Sequence, residues 1–508
     1  MQQRELGRVR IAIIGSGFAG LGMAIRLRQA GITDFVVLER AEDVGGTWRD
    51  NTYPGCACDV PSNLYAFSFA PNPHWSRTFS GQREIWDYLR ACAQHFGVTE
   101  HLRLGHEVMD ACWQQEHGHW RVQTRRGSFT ATVLVSAMGP LSEPALPAIP
   151  GLTSFAGTTF HSAAWEHDHD LTGERVAVIG TGASAIQFVP RIAGRVAALH
   201  VFQRTPPWIV PRGDRDVTGF ERHLFRAVPA AQRARRAVSY LMRELAVPGL
   251  RGNRRLLAYL TTQARRHLEE QVADPLLRAA LTPDYAIGCK RILLSDDYYP
   301  ALALPQVELV TAGIREVRAA SVMTSDGVER PVDTIIFGTG FHVTDMPGAA
   351  RLRGRDGRSL REVWGATQRA YLGSMVAGFP NLFLLLGPNT GLGHNSIVYM
   401  IESQLAYVMD ALRVMEARGS DVIEVSAAAQ DRYNRVVQAD TAGTVWTAGG
   451  CRSWYLDATG ANAALWPSYT WSFRRRTRRF VPSDHVLGLR LLPAATGVPG
   501  RVDVCHAE

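Results

Sequence analysis

Two glycine runs carry the chemistry most directly readable from this chain. Gly15, Gly17 and Gly20 follow the apolar run "RIAII", and Gly180, Gly182 and Ala185 follow "VAVI". In such a run the first glycine makes a tight turn, the second lets the backbone approach a pyrophosphate, and the third lets the next helix pack on the strand. The anion then sits at the helix N-terminus, where free N–H groups and the helix dipole favour negative charge. Each run lies between a predicted strand and a predicted helix, with a further strand after it, which separates a nucleotide turn from an ordinary glycine turn.

The two units differ at one informative position. Glu39 stands 24 residues beyond Gly15, and Arg204, followed by Thr205, stands 24 residues beyond Gly180. A carboxylate there accepts hydrogen bonds from both ribose hydroxyls and repels a phosphorylated ribose, whereas a guanidinium with a neighbouring hydroxyl suits a 2′-phosphate. The first unit therefore reads as an FAD site and the second as an NADPH site, the pairing expected of a flavin enzyme reduced by a nicotinamide.

These turns need elements to hold them. After the first unit the chain returns in "ATVLVSAMGP" (131–140), and after the second in "VDTIIFGTGF" (332–341), both apolar runs ending at a small residue and glycine. The expected fold is α/β, with two Rossmann-like dinucleotide-binding domains, the NADPH domain being inserted into a discontinuous FAD domain. The expected limits are 1–150 for the first part of the FAD domain, 151–167 for an inter-domain linker, and 168–335 for the NADPH domain. The last contains an arginine-rich helical subdomain at 215–285, and 336–508 completes the FAD domain with a C-terminal mobile segment.

Composition sets the boundaries. A length of 508 residues with 46% hydrophobic and 20% charged residues describes a globular chain of more than one domain. The net charge of +8 is carried almost wholly by arginine, since Lys290 is the only lysine. That excess suits anionic ligands. The cluster "FRRRTRRF" (473–480) is too short and isolated to indicate nucleic acid. The seven cysteines show no C-x-x-C pair and no metal-type spacing with histidine, and Cys56 and Cys58, with one residue between them, read as reduced thiols. No metal site is expected. The start lacks a signal-type apolar stretch and no run is long enough to span a bilayer, so a cytoplasmic protein is expected. The basic helical region allows peripheral membrane contact.

With these features in place, the chain resembles the class B flavoprotein monooxygenases, and specifically the type I Baeyer–Villiger monooxygenases. That family carries a linker F-x-G-x-x-x-H-x-x-x-W followed by Pro or Asp. Here Phe155, Gly157, His161 and Trp165 fall in register, and Glu166 departs at the last position. Related monooxygenases that oxidise amines and thioethers usually end this linker in Tyr or Phe. A second family motif is matched by "GGTWRDNTYPGCACD", from Gly45 through Trp48 to Asp59.

The resemblance implies an NADPH- and FAD-dependent oxidation of a ketone by dioxygen to an ester or lactone. It places the active-site arginine at Arg291, within "GCKRILLSDDYYPAL", with Lys290 toward the NADPH phosphate. Asp59 is expected to hold Arg291, His161 to anchor the linker, and Trp454 to belong to a segment that folds over the nicotinamide. On the flavin side the expected cofactor contacts add Phe18, Ala19, Gly46, Thr47, Trp48, Ala57, Cys58, Val60, Tyr65 and Val108. On the nicotinamide side they add Thr181, Ala183, Ser184 and Gln187. Three rivals remain open at this point: amine or thioether oxidation, a flavin disulfide reductase, and a nucleotide-binding module without catalysis. A monomer or small homo-oligomer is expected, with a small ketone and dioxygen as its partners.

Overall fold

The computed structural model describes residues 4–488. Its first sheet is built on strand β1 (Glu5–Ile14), buried over its last four residues, which pairs in parallel with β2 (Phe35–Leu38) on one side and β6 (Gly127–Ser136) on the other. Beyond β2 lies β3 (Leu102–Arg103). Beyond β6 the sheet continues through the antiparallel strands β5 (His119–Thr124) and β4 (Val108–Gln114) to β17 (Leu352–Arg353), while β18 (Leu382–Leu384) also pairs with β6. All four residues of β2 are buried, the mark of a strand covered on both faces.

The second sheet is wholly parallel. Its order is β12 (Val307–Val310), β9 (Ala198–Phe202), β8 (Arg175–Ile179), β16 (Thr334–Phe337), β7 (Thr158–His161). Two features differ from the sequence reading. The linker, expected as a connection between domains, supplies the edge strand β7, and Gly157 is what lets it approach: a Cβ there would lie 2.1 Å from the Asp333 carbonyl oxygen. The limit expected between 335 and 336 falls inside β16, whose partners both belong to the second sheet.

Three smaller pairings complete the strands: β10 (Ile209–Val210) with β11 (Leu293–Leu294), the hairpins β13 (Ile314–Arg318), β14 (Ser321–Thr324) and β15 (Glu329–Pro331), and β19 (Val422–Val425) with β20 (His485–Gly488). The helices that matter below are α1 (Phe18–Gln29), α2 (Thr47–Asp50), α3 (Gln82–His95), α4 (Ala185–Ile192) and the run expected at 215–285. That run folds as α5 (Gly219–Ala227), α6 (Pro229–Glu244), α7 (Val247–Leu250), α8 (Arg254–Gln271) and α9 (Pro275–Ala280). Among the described residues no helix is long and apolar enough to cross a membrane.

Candidate active site

Each glycine turn has the geometry its sequence implies. Gly15 has φ +97° and Gly180 φ +110°, and a Cβ at either would press on the return strand's exit, 2.6 Å from the Ala137 carbonyl oxygen and 2.5 Å from that of Gly338. A Cβ on Gly20 would meet the Gly15 carbonyl oxygen at 1.9 Å, so α1 packs close behind its turn. Ala185 fills the matching place in α4 and is fully buried. The middle glycines are different: Gly17 has no neighbour nearer than 3.8 Å and Gly182 none within 4 Å. Space is therefore kept open beside the backbone at the two points where a pyrophosphate belongs. Neither helix start is capped by a side chain, which leaves first-turn N–H groups for an anion.

Both turns open into one continuous cavity of about 1380 Å³. On the first turn's side it is lined by Phe18, Ala19, Glu39, Gly46, Thr47, Trp48, Ala57, Cys58, Val60, Tyr65 and Val108. On the second turn's side it is lined by Thr181, Ala183, Ser184, Gln187, Arg204, Thr205 and Lys290. Arg291, Asp59 and Trp454 border the same space. Gly20 and Ala185 stay behind the turns as packing contacts, and the four linker residues lie outside the lining.

Glu39 is buried at the end of β2. One carboxylate oxygen accepts from the Ser16 N–H at 2.9 Å and the Ser16 hydroxyl at 2.7 Å, and the other accepts from the Ala41 N–H at 3.0 Å. Arg49 on α2 lies 3.0 Å from that second oxygen and was missed by sequence reasoning, because an arginine in a four-residue helix carries no pattern. Across the cavity, Arg204 and Lys290 make no ion pair among the described residues. Burial, and then the nearby Arg204 guanidinium, hold the Lys290 ammonium below the usual lysine range. Both side chains line the cavity, and a guanidinium and an ammonium left without an ion pair suit a phosphate.

At the junction of the two halves stands the Arg291–Asp59 pair. Arg291 donates from Nε at 2.8 Å to one oxygen of the Asp59 carboxylate, with Nη2 2.6 Å from the same oxygen, and from Nη1 at 3.4 Å to the Leu392 carbonyl. The adjacent Asp59 charge raises the Arg291 pKa further above the arginine range. Burial pushes the Asp59 carboxyl up, but Arg291 and Arg243 more than offset this and keep it below the usual carboxylate range. Arg243, on α6, donates to the Asp59 carbonyl at 3.0 Å and the His394 carbonyl at 3.2 Å. It was not singled out from sequence, since it lies in a helix already rich in arginine.

Next to Arg243, Glu244 is buried under four donors or partners. It accepts from the Thr470 N–H (3.0 Å) and hydroxyl (2.7 Å) and from Asn395 Nδ2 (2.6 Å), with His394 Nε2 at 3.3 Å. This ties α6 to the loop that supplies Leu392 and to the C-terminal helix Thr470–Thr477. A second tie joins the two halves through α4. Gln187 accepts from the Tyr53 hydroxyl at 3.0 Å and the Ala57 N–H at 3.3 Å, and donates to the Ala57 carbonyl at 3.0 Å.

The linker motif lies away from the cavity lining. Trp165 packs edge-on to Phe160 (5.1 Å between ring centres) and against Phe188 of α4 (5.3 Å), and His161 is buried at the end of β7 beside Phe341. Trp454 is 48% exposed and borders the cavity.

Cys56, Cys58 and Cys92 are free, as expected for the first two, and burial pushes the Cys56 thiol up to about 12 and the Cys58 thiol well above its ordinary value. Cys289 and Cys451 are joined in a disulfide, which the expectation of reduced thiols did not foresee; they stand 162 residues apart, so no spacing links them. The bond connects the residue before Lys290 and Arg291 to the segment that carries Trp454. Cys505 lies outside the described residues. No metal-binding group of His, Cys, Asp or Glu occurs among the described residues.

Comparison with known proteins fits this geometry. Residues 12–218 match the family model described as pyridine nucleotide-disulphide oxidoreductase. Cys56 and Cys58 lack C-x-x-C spacing, and burial disfavours their thiolates, whereas a disulfide reductase needs a reactive thiolate. A Baeyer–Villiger monooxygenase of Streptomyces coelicolor is 54% identical over 490 residues, covering 96% of this chain and 94% of its own. One of Pseudomonas aeruginosa is 50% identical over 500 residues, covering 96% and 95%. Among solved structures, an oxidized steroid monooxygenase bound to NADP superposes with a TM-score of 0.84 at 31% identity, covering 95% of this chain and 99% of that one. A closed cyclohexanone monooxygenase superposes with the same TM-score at 29% identity over the same shares. Sharing half or more of its residues with two such enzymes over nearly their whole length, the chain belongs to the Baeyer–Villiger monooxygenase family.

Proposed function

We propose that this protein inserts one oxygen atom of dioxygen beside the carbonyl of a ketone, giving an ester or lactone, with FAD and NADPH as its cofactors. The observation that carries the reading is the Arg291–Asp59 pair at the meeting point of two dinucleotide turns within one cavity. FAD would be held by the Gly15–Gly20 turn, Glu39 and the Gly46–Trp48 segment, and NADPH by the Gly180–Ala185 turn, Arg204, Thr205 and Lys290. When bound, NADPH supplies reducing electrons and FAD supplies the activation of dioxygen.

The chain's own part is electrostatic and geometric. As a ketone carbonyl is attacked, its oxygen gains negative charge, and a cation fixed beside it lowers the barrier. Arg291 is always charged and carries donors beyond those spent on Asp59. Asp59 keeps the guanidinium from turning away, and Arg243 keeps Asp59 in place through its carbonyl. Partial burial of Arg291 and Asp59 strengthens the charge interaction between them.

The reading is tested with purified protein, NADPH, air and a molecule that carries both a ketone and a thioether, followed by mass spectrometry. An ester formed at the ketone is the expected product. Sulfoxide alone would overturn the reading and favour heteroatom oxidation.

A further inference from the structure

Helix α6 is inside out. Apart from Tyr240, which stacks on Tyr399, its inward face is polar: Gln232 donates to Asn63 Oδ1 at 2.9 Å and to the Asn72 carbonyl at 2.6 Å, and Arg236 donates to the carbonyls of Asn63, Leu64 and Ala66 at 2.8 to 3.2 Å. Arg243 and Glu244 complete that face through the contacts already described. Its outward face is apolar: Val238, Leu241, Met242 and Leu245 are 53%, 61%, 63% and 62% exposed. These four fall at i, i+3, i+4 and i+7, one stripe of a helix. A surface helix ordinarily places such a stripe against the core. Here the inward hydrogen bonds fix the helix, so the stripe cannot roll inward, and whatever covers it must come from outside.

The charge around the stripe indicates what that is. Arg235 lies one turn before Val238 in the same row, and Arg226, Arg233 and Arg235 are exposed and unpaired among the described residues. Between Gly219 and Ala280 the sequence holds twelve arginines and five acidic residues. Of the five, Glu244 is buried, while Glu221 pairs with Arg215 at 2.8 Å and Glu270 with Arg266 at 2.7 Å. An apolar ridge set among unneutralised arginines is the pattern of a helix that lies in the surface of an anionic bilayer.

We propose that the outer face of α6 docks this enzyme on anionic membrane lipid, with Val238, Leu241, Met242 and Leu245 entering the acyl boundary and the arginines meeting the headgroups. A helix with its side chains is roughly 10–12 Å across, so the docked surface lies about one helix diameter from the Asp59 backbone that Arg243 holds on the other side.

The FAD-loaded full chain is mixed with vesicles of phosphatidylcholine alone or with phosphatidylglycerol, and the bound fraction is measured by sedimentation. Binding is expected only to the phosphatidylglycerol vesicles, falling as salt rises. The double variant Leu241→Ser/Met242→Ser is expected to weaken binding about 10-fold or more, since each side chain loses most of its apolar burial. Arg233→Ala/Arg235→Ala is expected to weaken it about 10-fold. Because these side chains point to solvent, flavin content and thermal unfolding should stay unchanged in all variants. No binding by the unsubstituted protein, or binding indifferent to Leu241→Ser/Met242→Ser, overturns the proposal. So does a dimer that this double variant dissociates, which would make the stripe a contact between two copies.

Discussion

Arg291 and Arg204 are both arginines at a cavity wall, and their neighbours give them different work. Arg204 lines the cavity with Lys290 and has no ion pair among the described residues, which suits it to attract the phosphate proposed there. Arg204→Ala is expected to raise the KM for NADPH about 10- to 100-fold, the loss of one charge-assisted contact, with little change for NADH; steady-state kinetics with both nucleotides check this, and an equal rise for both would contradict it. Arg291 instead has its countercharge built in. The Asp59 carboxyl titrates below its unfolded value, so the pair contributes stability above pH ~4, and that contribution is lost as the pH falls through the folded value. An acid limb in kcat/KM above pH 5 would therefore belong to another group, and Asp59→Asn should leave that limb where it is. Glu39 and Arg204 were legible in the sequence because each stands 24 residues beyond the first glycine of its turn, whereas Asp59 and Arg291 were legible only through the family resemblance of the segments that hold them. Arg243 and Arg49 were not, since their partners are set by tertiary packing and nothing in their own neighbourhood distinguishes them from surface arginines.

At the scale of elements, the glycine turns were the most legible feature. The steric demand at Gly15, Gly20 and Gly180 leaves few other residues possible, so the sequence carries the backbone geometry almost directly. The linker was legible as a motif but not as a strand: "TTFH" pairs only because Gly157 lets it lie against Asp333, a contact between residues far apart in the chain. Helix α6 was legible as helical and basic, yet its orientation was not, because periodicity gives a stripe without saying which side faces the protein. Glu244 fixes that orientation. Glu244→Ala should leave the donors of Thr470 and Asn395 without an acceptor and lower stability by about 2–4 kcal/mol, with Glu244→Gln falling between it and the unsubstituted protein; urea unfolding checks this, and a loss below ~0.5 kcal/mol would contradict it.

Across the whole molecule, polar contacts, aromatic packing and a disulfide join the two dinucleotide units. Gln187 reaches from α4 to Tyr53 and Ala57, the linker motif packs Trp165 on the same helix, and the Cys289–Cys451 bond ties the segment bearing Arg291 to the Trp454 segment. Gln187→Ala should cost about 1–3 kcal/mol at this junction and speed limited proteolysis within 151–167. Unchanged cleavage would mean that the aromatic packing alone holds the halves in register. The order of the units could be read from the sequence because each repeats the same local pattern. The disulfide could not, because no local signal connects residues that only the finished fold brings together.

The central claim is that the fixed Arg291 cation serves the ketone's developing oxyanion. Its most direct test is kcat/KM for a ketone in Arg291→Ala, measured on FAD-loaded protein beside the unsubstituted enzyme. The expected result is a fall in ketone oxidation on the order of 10²- to 10³-fold, in a protein that stays yellow and folded. Ketone oxidation preserved within a few-fold, with flavin retained, would contradict the assignment of Arg291 and with it the role given to Asp59.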